Sequence, residues 1–72
     1  MTKVRARFHA GAMMRAAREY RGVTQVEMAE RLGVSQPRVA QMERRERCTV
    51  LSLAAVGDAL GMELGYRESN GR

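Results

Sequence analysis

Histidine and cysteine each occur once in the 72 residues, as His9 and Cys48. A single thiol permits no intramolecular disulfide and points to a reducing compartment. One thiol and one distant imidazole also make no metal-ligand set, so neither a metal nor a cofactor is expected. Tryptophan is absent, and Phe8, Tyr20 and Tyr66 are the whole aromatic content. The core must then be Leu, Val, Met and Ala, which suits helices packed closely together. No run approaches the roughly 20 apolar residues of a membrane span, and no signal-peptide pattern opens the chain. A soluble, cytoplasmic protein is expected. A chain this short forms one domain and buries only about 60% of its unfolded surface, leaving little room for a deep pocket beside a core. It also offers no carboxylate pair, no nucleophile–base constellation and no phosphate-binding glycine loop. An enzyme is not expected.

Positive charge, by contrast, is plentiful, at a net +5 with twelve Arg and one Lys. Residues 1–21 hold Lys3, Arg5, Arg7, Arg15, Arg18 and Arg21 against Glu19. Residues 35–47 hold Arg38, Arg44, Arg45 and Arg47 against Glu43 and Glu46, while the intervening and following stretches are slightly acidic. This segregation favours a polyanionic partner over a merely solvated basic surface. The preference for Arg suits bidentate recognition of phosphate and guanine, although a GC-rich genome would produce the same bias.

Four helices can be read along the chain. Residues 10–21 place Ala10, Met13, Met14 and Ala17 on one face, with Arg15, Arg18 and Arg21 elsewhere, and Gly22 as the stop. Thr24 to Glu27 is a capping box that opens a short second helix carrying Met28, Ala29 and Leu32 and ending at Gly33. Ser35 caps a third helix over 35–43 with Pro37 in its first turn, and residues 44–48 form a charged loop. Thr49 caps a fourth, with Val50, Leu53, Val56 and Leu60 inward and Gly61 as its stop. Gly57 weakens that helix by about 1 kcal/mol relative to Ala and marks a close neighbour, with the first helix the expected one. Met62–Tyr66 alternates apolar and polar residues as a short strand does. Val4–Phe8 alternates likewise, and Phe8 falls off the apolar face of the first helix projected backwards. Thr2, however, is a better cap than anything near His9, so strand and helix extension both stand. His9 is expected at the surface with no chemistry. The divisions are an arm or strand over 1–9, a helical domain over 10–61, and a strand and loose tail over 62–72.

The stretch from Thr24 to Glu43 is the specific one. Gly33-Val34-Ser35 is too short for an antiparallel hairpin but right for a sharp crossing, with Gly33 free to turn left-handed. Met28, Leu32, Val34, Val39 and Met42 supply the apolar contacts to the other helices, leaving Gln36, Arg38 and Gln41 outward. Side chains of those types can read purine edges, Gln pairing with adenine and Arg with guanine. From Arg21 to Glu43, RGVTQVEMAERLGVSQPRVAQME resembles the Cro and phage-repressor (XRE) helix-turn-helix family nearly position for position. SLAAVGDALG, 52–61, is similar to that family's fourth helix.

The resemblance implies a mainly α, lambda-repressor-like domain that binds double-stranded DNA as a transcriptional repressor reading a palindromic operator. By position, Gln36, Pro37, Arg38 and Gln41 face bases in the major groove. Gln25, Ser35 and Arg44 contact phosphates; Arg45 and Arg47 are phosphate contacts or plain loop charge. Arg18 and Glu43 match a salt bridge between the first and third helices. Pro37 departs from the pattern, since it offers only an apolar contact. A strand also stands where many relatives have a fifth, dimer-forming helix. The expected homodimer, either preformed or completed on DNA, would therefore use Leu51, Ala54, Ala55 and Asp58 with Met62, Leu64 and Tyr66. The strand would pair across the two-fold or with Val4–Phe8 of its own chain. Two other readings stand beside the repressor: a HigA-type antitoxin, which also neutralises a toxin protein and needs a further exposed apolar patch, and an adaptor that binds DNA weakly.

Overall fold

The computed structural model describes residues 2–6 and 9–66. Its elements are β1 (Thr2–Ala6), α1 (Ala10–Tyr20), α2 (Gln25–Leu32), α3 (Gln36–Arg44), α4 (Val50–Leu60) and β2 (Met62–Tyr66). The fold is mainly α, with four helices and two short terminal strands. The Phe8 end of the expected first strand and the tail 68–72 lie outside the described residues.

Each helix starts where a side chain can take up one of the amide protons that its first turn leaves free. Thr24, Ser35 and Thr49 do this for α2, α3 and α4, accepting from Glu27, Arg38 and Ser52. Glu27 completes the box by accepting from the Thr24 amide at 2.9 Å, and hydrogen bonding from the Thr24 backbone and then its side chain holds the Glu27 carboxyl below the usual range. The fourth cap was not legible. His9 Nδ1 accepts from the Ala12 amide at 2.9 Å, so His9 opens α1 rather than standing idle at the surface. The rest of that helix end is closed from a distance: Ala10 and Gly11 donate to the carbonyls of Glu46 and Arg45 just beyond α3, at 2.7 and 2.9 Å.

One core joins all six elements: Ala10, Met13, Met14 and Ala17 of α1, Met28 and Ala29 of α2, Val39 and Met42 of α3, Leu53, Val56 and Leu60 of α4, and Met62 and Leu64 of β2, with Val4 of β1 packed at its margin. Two expected core residues are not in it. Val34, in the turn between α2 and α3, is exposed, and Val50, 69% exposed, sits on the outer side of the first turn of α4.

Strand, not helix extension, is the outcome at the N-terminus. β1 pairs in parallel with β2 of the same chain, Thr2 opposite Met62 through Ala6 opposite Tyr66. Of the two pairings expected for the second strand, the one with the N-terminal strand of the same chain is formed. Met62 and Leu64, at 3% and 6% exposure, turn into the chain's own core and leave no side chain for a dimer surface. Tyr66 is likewise engaged: its hydroxyl accepts from the Cys48 amide and donates to the Cys48 carbonyl, pinning the loop before α4. On the other face, Arg5 lies over Gly65 and meets Glu63 at 2.6 Å, holding the Glu63 carboxyl below its ordinary range.

The neighbour that Gly57 admits is β2, not α1. A methyl group there would stand 2.6 Å from the Met62 carbonyl oxygen and 3.2 Å from the Leu64 amide. Gly11 plays the same part in α1, where a methyl would lie within 2.6 Å of the carbonyls of Met42, Glu43 and Arg45. Alanine gains about 1 kcal/mol in helix propensity at such positions. Overpacking against backbone costs about 1–3 kcal/mol or more, so the clash wins. Gly57→Ala should lower stability by about 1–2 kcal/mol in urea unfolding and Gly11→Ala by more. A rise in Tm at either site would mean that the facing backbone yields freely.

Candidate nucleic-acid interface

The outward face of α3 is held by a chain of polar contacts that begins in the core. Arg18 belongs to the buried side of α1, although its spacing seemed to put it elsewhere. Its Nε and Nη2 donate to the two Glu43 oxygens at 2.6 and 3.1 Å, and its Nη1 to the Val23 carbonyl at 2.8 Å. The two side chains are only 9% and 6% exposed. The paired carboxylate keeps the guanidinium firmly protonated against the opposing pull of burial. Glu43 Oε1 also accepts from Gln25 Nε2 at 3.0 Å, and Gln25 Oε1 accepts from Gln36 Nε2 at 2.6 Å. The buried pair thus reaches the first residue of α3 through one glutamine.

The sharp turn between α2 and α3 follows from Gly33, whose φ of 70° and ψ of 31° are left-handed and open to glycine without strain. The Val34 amide returns to the Ala29 carbonyl at 3.0 Å and locks the turn. Beyond it, Ser35, Gln36, Pro37, Arg38 and Gln41 all stand in solvent. Arg38 Nη1 donates to Gln41 Oε1 at 2.7 Å. The Ser35 oxygen accepts from the Arg38 amide, which leaves the hydroxyl proton free to donate. Arg44 is the last residue of α3 rather than just past it, and Arg45 and Arg47 follow in the loop. All three are exposed and make no ion pair among the described residues. With Arg38, Cys48, Thr49 and Ser52, Arg45 and Arg47 line an open groove beside α3. Burial pushes the Cys48 thiol up despite the nearby arginines, leaving it a weak nucleophile.

The basic N-terminal stretch, counted earlier with the polyanion signal, is largely used within the chain. Arg5 and Arg18 are paired as described, and Arg15 meets Glu19 at 3.3 Å. Arg21 donates to the carbonyls of Leu60 and Gly61, and Arg31 to that of Ala59, so two cations cap the C-terminus of α4. Sequence spacing gave no sign of these long-range caps. Among the described residues no group of three or more His, Cys, Asp or Glu is placed to hold a metal, and no helix is long and apolar enough to cross a membrane.

Breaking the Arg18–Glu43 pair at one end strands the other charge in the core, which typically costs about 3–5 kcal/mol. Removing both ends in favour of apolar groups avoids that penalty. Glu43→Ala should therefore destabilise by about 3 kcal/mol in chemical denaturation, and the Arg18→Met, Glu43→Met double substitution by clearly less. Equal losses in the two proteins would contradict the account.

Compared with models of known families, the chain matches the one described as Helix-turn-helix over residues 14–67. No curated protein matches it.

Proposed function

Because the chain belongs to the helix-turn-helix family of the Cro and XRE type, DNA-binding transcription regulators that are typically non-enzymatic, we propose that it is a transcriptional repressor that reads a palindromic operator as a homodimer in the bacterial or phage-infected cell. The observation that carries this reading is the solvent face of α3, where Gln36, Arg38 and Gln41 project beside Pro37 from a helix anchored to the core at Glu43. In the major groove these side chains meet base edges, with Pro37 in apolar contact. Phosphates on either side are met by the free Ser35 hydroxyl proton, by Gln25 and the amides opening α2, and by Arg44, Arg45 and Arg47.

One recognition helix spans roughly four or five base pairs, too few to single out a site in a genome. Two copies placed roughly 34 Å apart, one DNA turn, double the reading. With the Met62 and Leu64 side chains buried in their own chain, the exposed apolar surface that favours a second copy is the outer side of α4: Leu51, 83% exposed, with Val50, Ala54, Ala55 and Asp58. The antitoxin reading keeps one observation in its favour. Tyr20 and Val26 are exposed apolar side chains off α4, as a surface for a toxin protein would require.

Selection from random duplexes supplies the operator on which two predictions can be measured. Arg38→Ala should cost about 1–3 kcal/mol on that site and little on random DNA, whereas Arg44→Ala should weaken both and flatten the salt dependence by about one unit of slope. Equal losses of Arg38→Ala on both DNAs would remove it from the base-reading set. In sedimentation, two chains should bind per palindrome, and Leu51→Glu should reduce this to one at matched concentration. A wild-type ratio of one at saturation would defeat the dimer.

A further inference from the structure

Resting on the DNA-binding role just proposed, we propose that Tyr66, the last residue of β2, is a positioning residue for DNA. Its hydroxyl fixes the loop that presents Arg45 and Arg47 to phosphates. The observation is a single phenol that holds both polar backbone groups of Cys48. It accepts from the Cys48 amide at 2.7 Å and donates to the Cys48 carbonyl.

The loop needs outside partners because it is neither helix nor strand. Between the end of α3 at Arg44 and the start of α4 at Val50, its backbone groups have no ladder of their own. Each is satisfied from elsewhere or by water. On one side α1 supplies two bonds, with Ala10 and Gly11 donating to the carbonyls of Glu46 and Arg45. On the other side Tyr66 supplies the bonds at Cys48. Arg47 lies between the two anchors, and Arg45 is part of the first.

The two side chains, by contrast, are unrestrained. Arg45 and Arg47 are exposed and make no ion pair among the described residues, and with Cys48 they line the groove beside α3. The backbone is then what sets where their guanidinium groups stand. A cation on a free loop forfeits conformational entropy when it settles on a phosphate, and on a fixed loop it forfeits less. Tyr66 is half-buried and packed against the core, so its hydroxyl is held as firmly as the ribbon that carries it. That ribbon forms because β1 pairs with β2, Ala6 opposite Tyr66. Pairing at the two ends of the described chain is thereby coupled to a DNA contact made in its middle.

Tyr66→Phe keeps the ring and removes the hydroxyl, so the fold should survive, and thermal unfolding checks that it does. Affinity for a mixed-sequence DNA duplex is measured over a range of salt, so no operator is needed. The proteins are the wild type, Tyr66→Phe, the Arg45→Ala, Arg47→Ala double variant, and all three changes combined. Tyr66→Phe should weaken binding on the order of fivefold and flatten the salt dependence by up to about one unit of slope. Where both arginines are already gone, the same change should alter affinity by less than about twofold. A role in stability alone would lower Tm equally in both backgrounds and leave the slope unmoved. A check that needs no variant is hydrogen exchange in the wild-type chain, where the Cys48 amide should exchange as slowly as the β1–β2 ladder. Equal losses with and without the arginines, an unchanged slope, a double variant that binds like the wild type, or a fast Cys48 amide each overturn this inference while leaving DNA binding intact. A wild-type chain that shows no salt-dependent binding to the duplex overturns the DNA-binding reading, and this inference with it.

Discussion

The ion pair between Arg18 and Glu43 is the contact on which the rest of the structure leans. Bringing two charges out of water is costly, and the cost is offset only when each remaining donor and acceptor finds a partner. Here Nε, Nη1 and Nη2 of Arg18 all donate, and Glu43 accepts from both Arg18 and Gln25. The partners come from α1, from the loop carrying Val23, from the start of α2 and from the end of α3. One buried site therefore sets the angle of α3 against two other helices, and no apolar contact in a core of methionines and alanines would set it as narrowly. The same site reaches the groove-facing surface through Gln25, so stability and recognition share it.

Small size shapes the remainder. With few aromatics to fill space, the helices and β2 approach until backbone meets backbone, and among the described glycines Gly11 and Gly57 admit that approach. The open ends of the helices are closed by whatever lies across the contact: carbonyls of the loop after α3 for α1, and Arg21 and Arg31 for α4. The described arginines thus divide into two groups. Those of α1, α2 and β1 tie the fold together, while Arg38, Arg44, Arg45 and Arg47 surround the reading face. The positive field over that face comes from the second group, which is the group that a polyanion would meet.

Parallel pairing of β1 and β2 closes the domain on itself. Two strands alone would be marginal, but one face of this ribbon is covered by α4 and the core, and the other is bridged by Arg5 and Glu63. The consequence for assembly is that the apolar side of the ribbon is already occupied, and α4 carries the exposed apolar surface at Val50 and Leu51.

Much of the fold was legible in the residues themselves, because capping, turn formation and helical periodicity act within about four positions. Thr24, Glu27, Ser35, Pro37, Thr49 and the glycines at 22, 33 and 61 marked the helix ends, and the period of two over 62–66 marked β2. The outward set Gln36, Arg38 and Gln41 followed from the same periodicity, and the Arg18–Glu43 pair from family resemblance. Tertiary structure alone decided what depends on distant partners. His9 looks like a surface residue until Ala12 is seen to donate to it, and Arg21 and Arg31 look like free charge until the end of α4 is placed beside them. Nothing local shows that Gly57 faces β2, that Met62 and Leu64 are core, or that β1 and β2 pair in parallel some sixty residues apart. Nor does a glutamine's spacing say which end of its amide is engaged. Those outcomes rest on contacts between segments far apart in the chain, and sequence order carries no record of which segments meet.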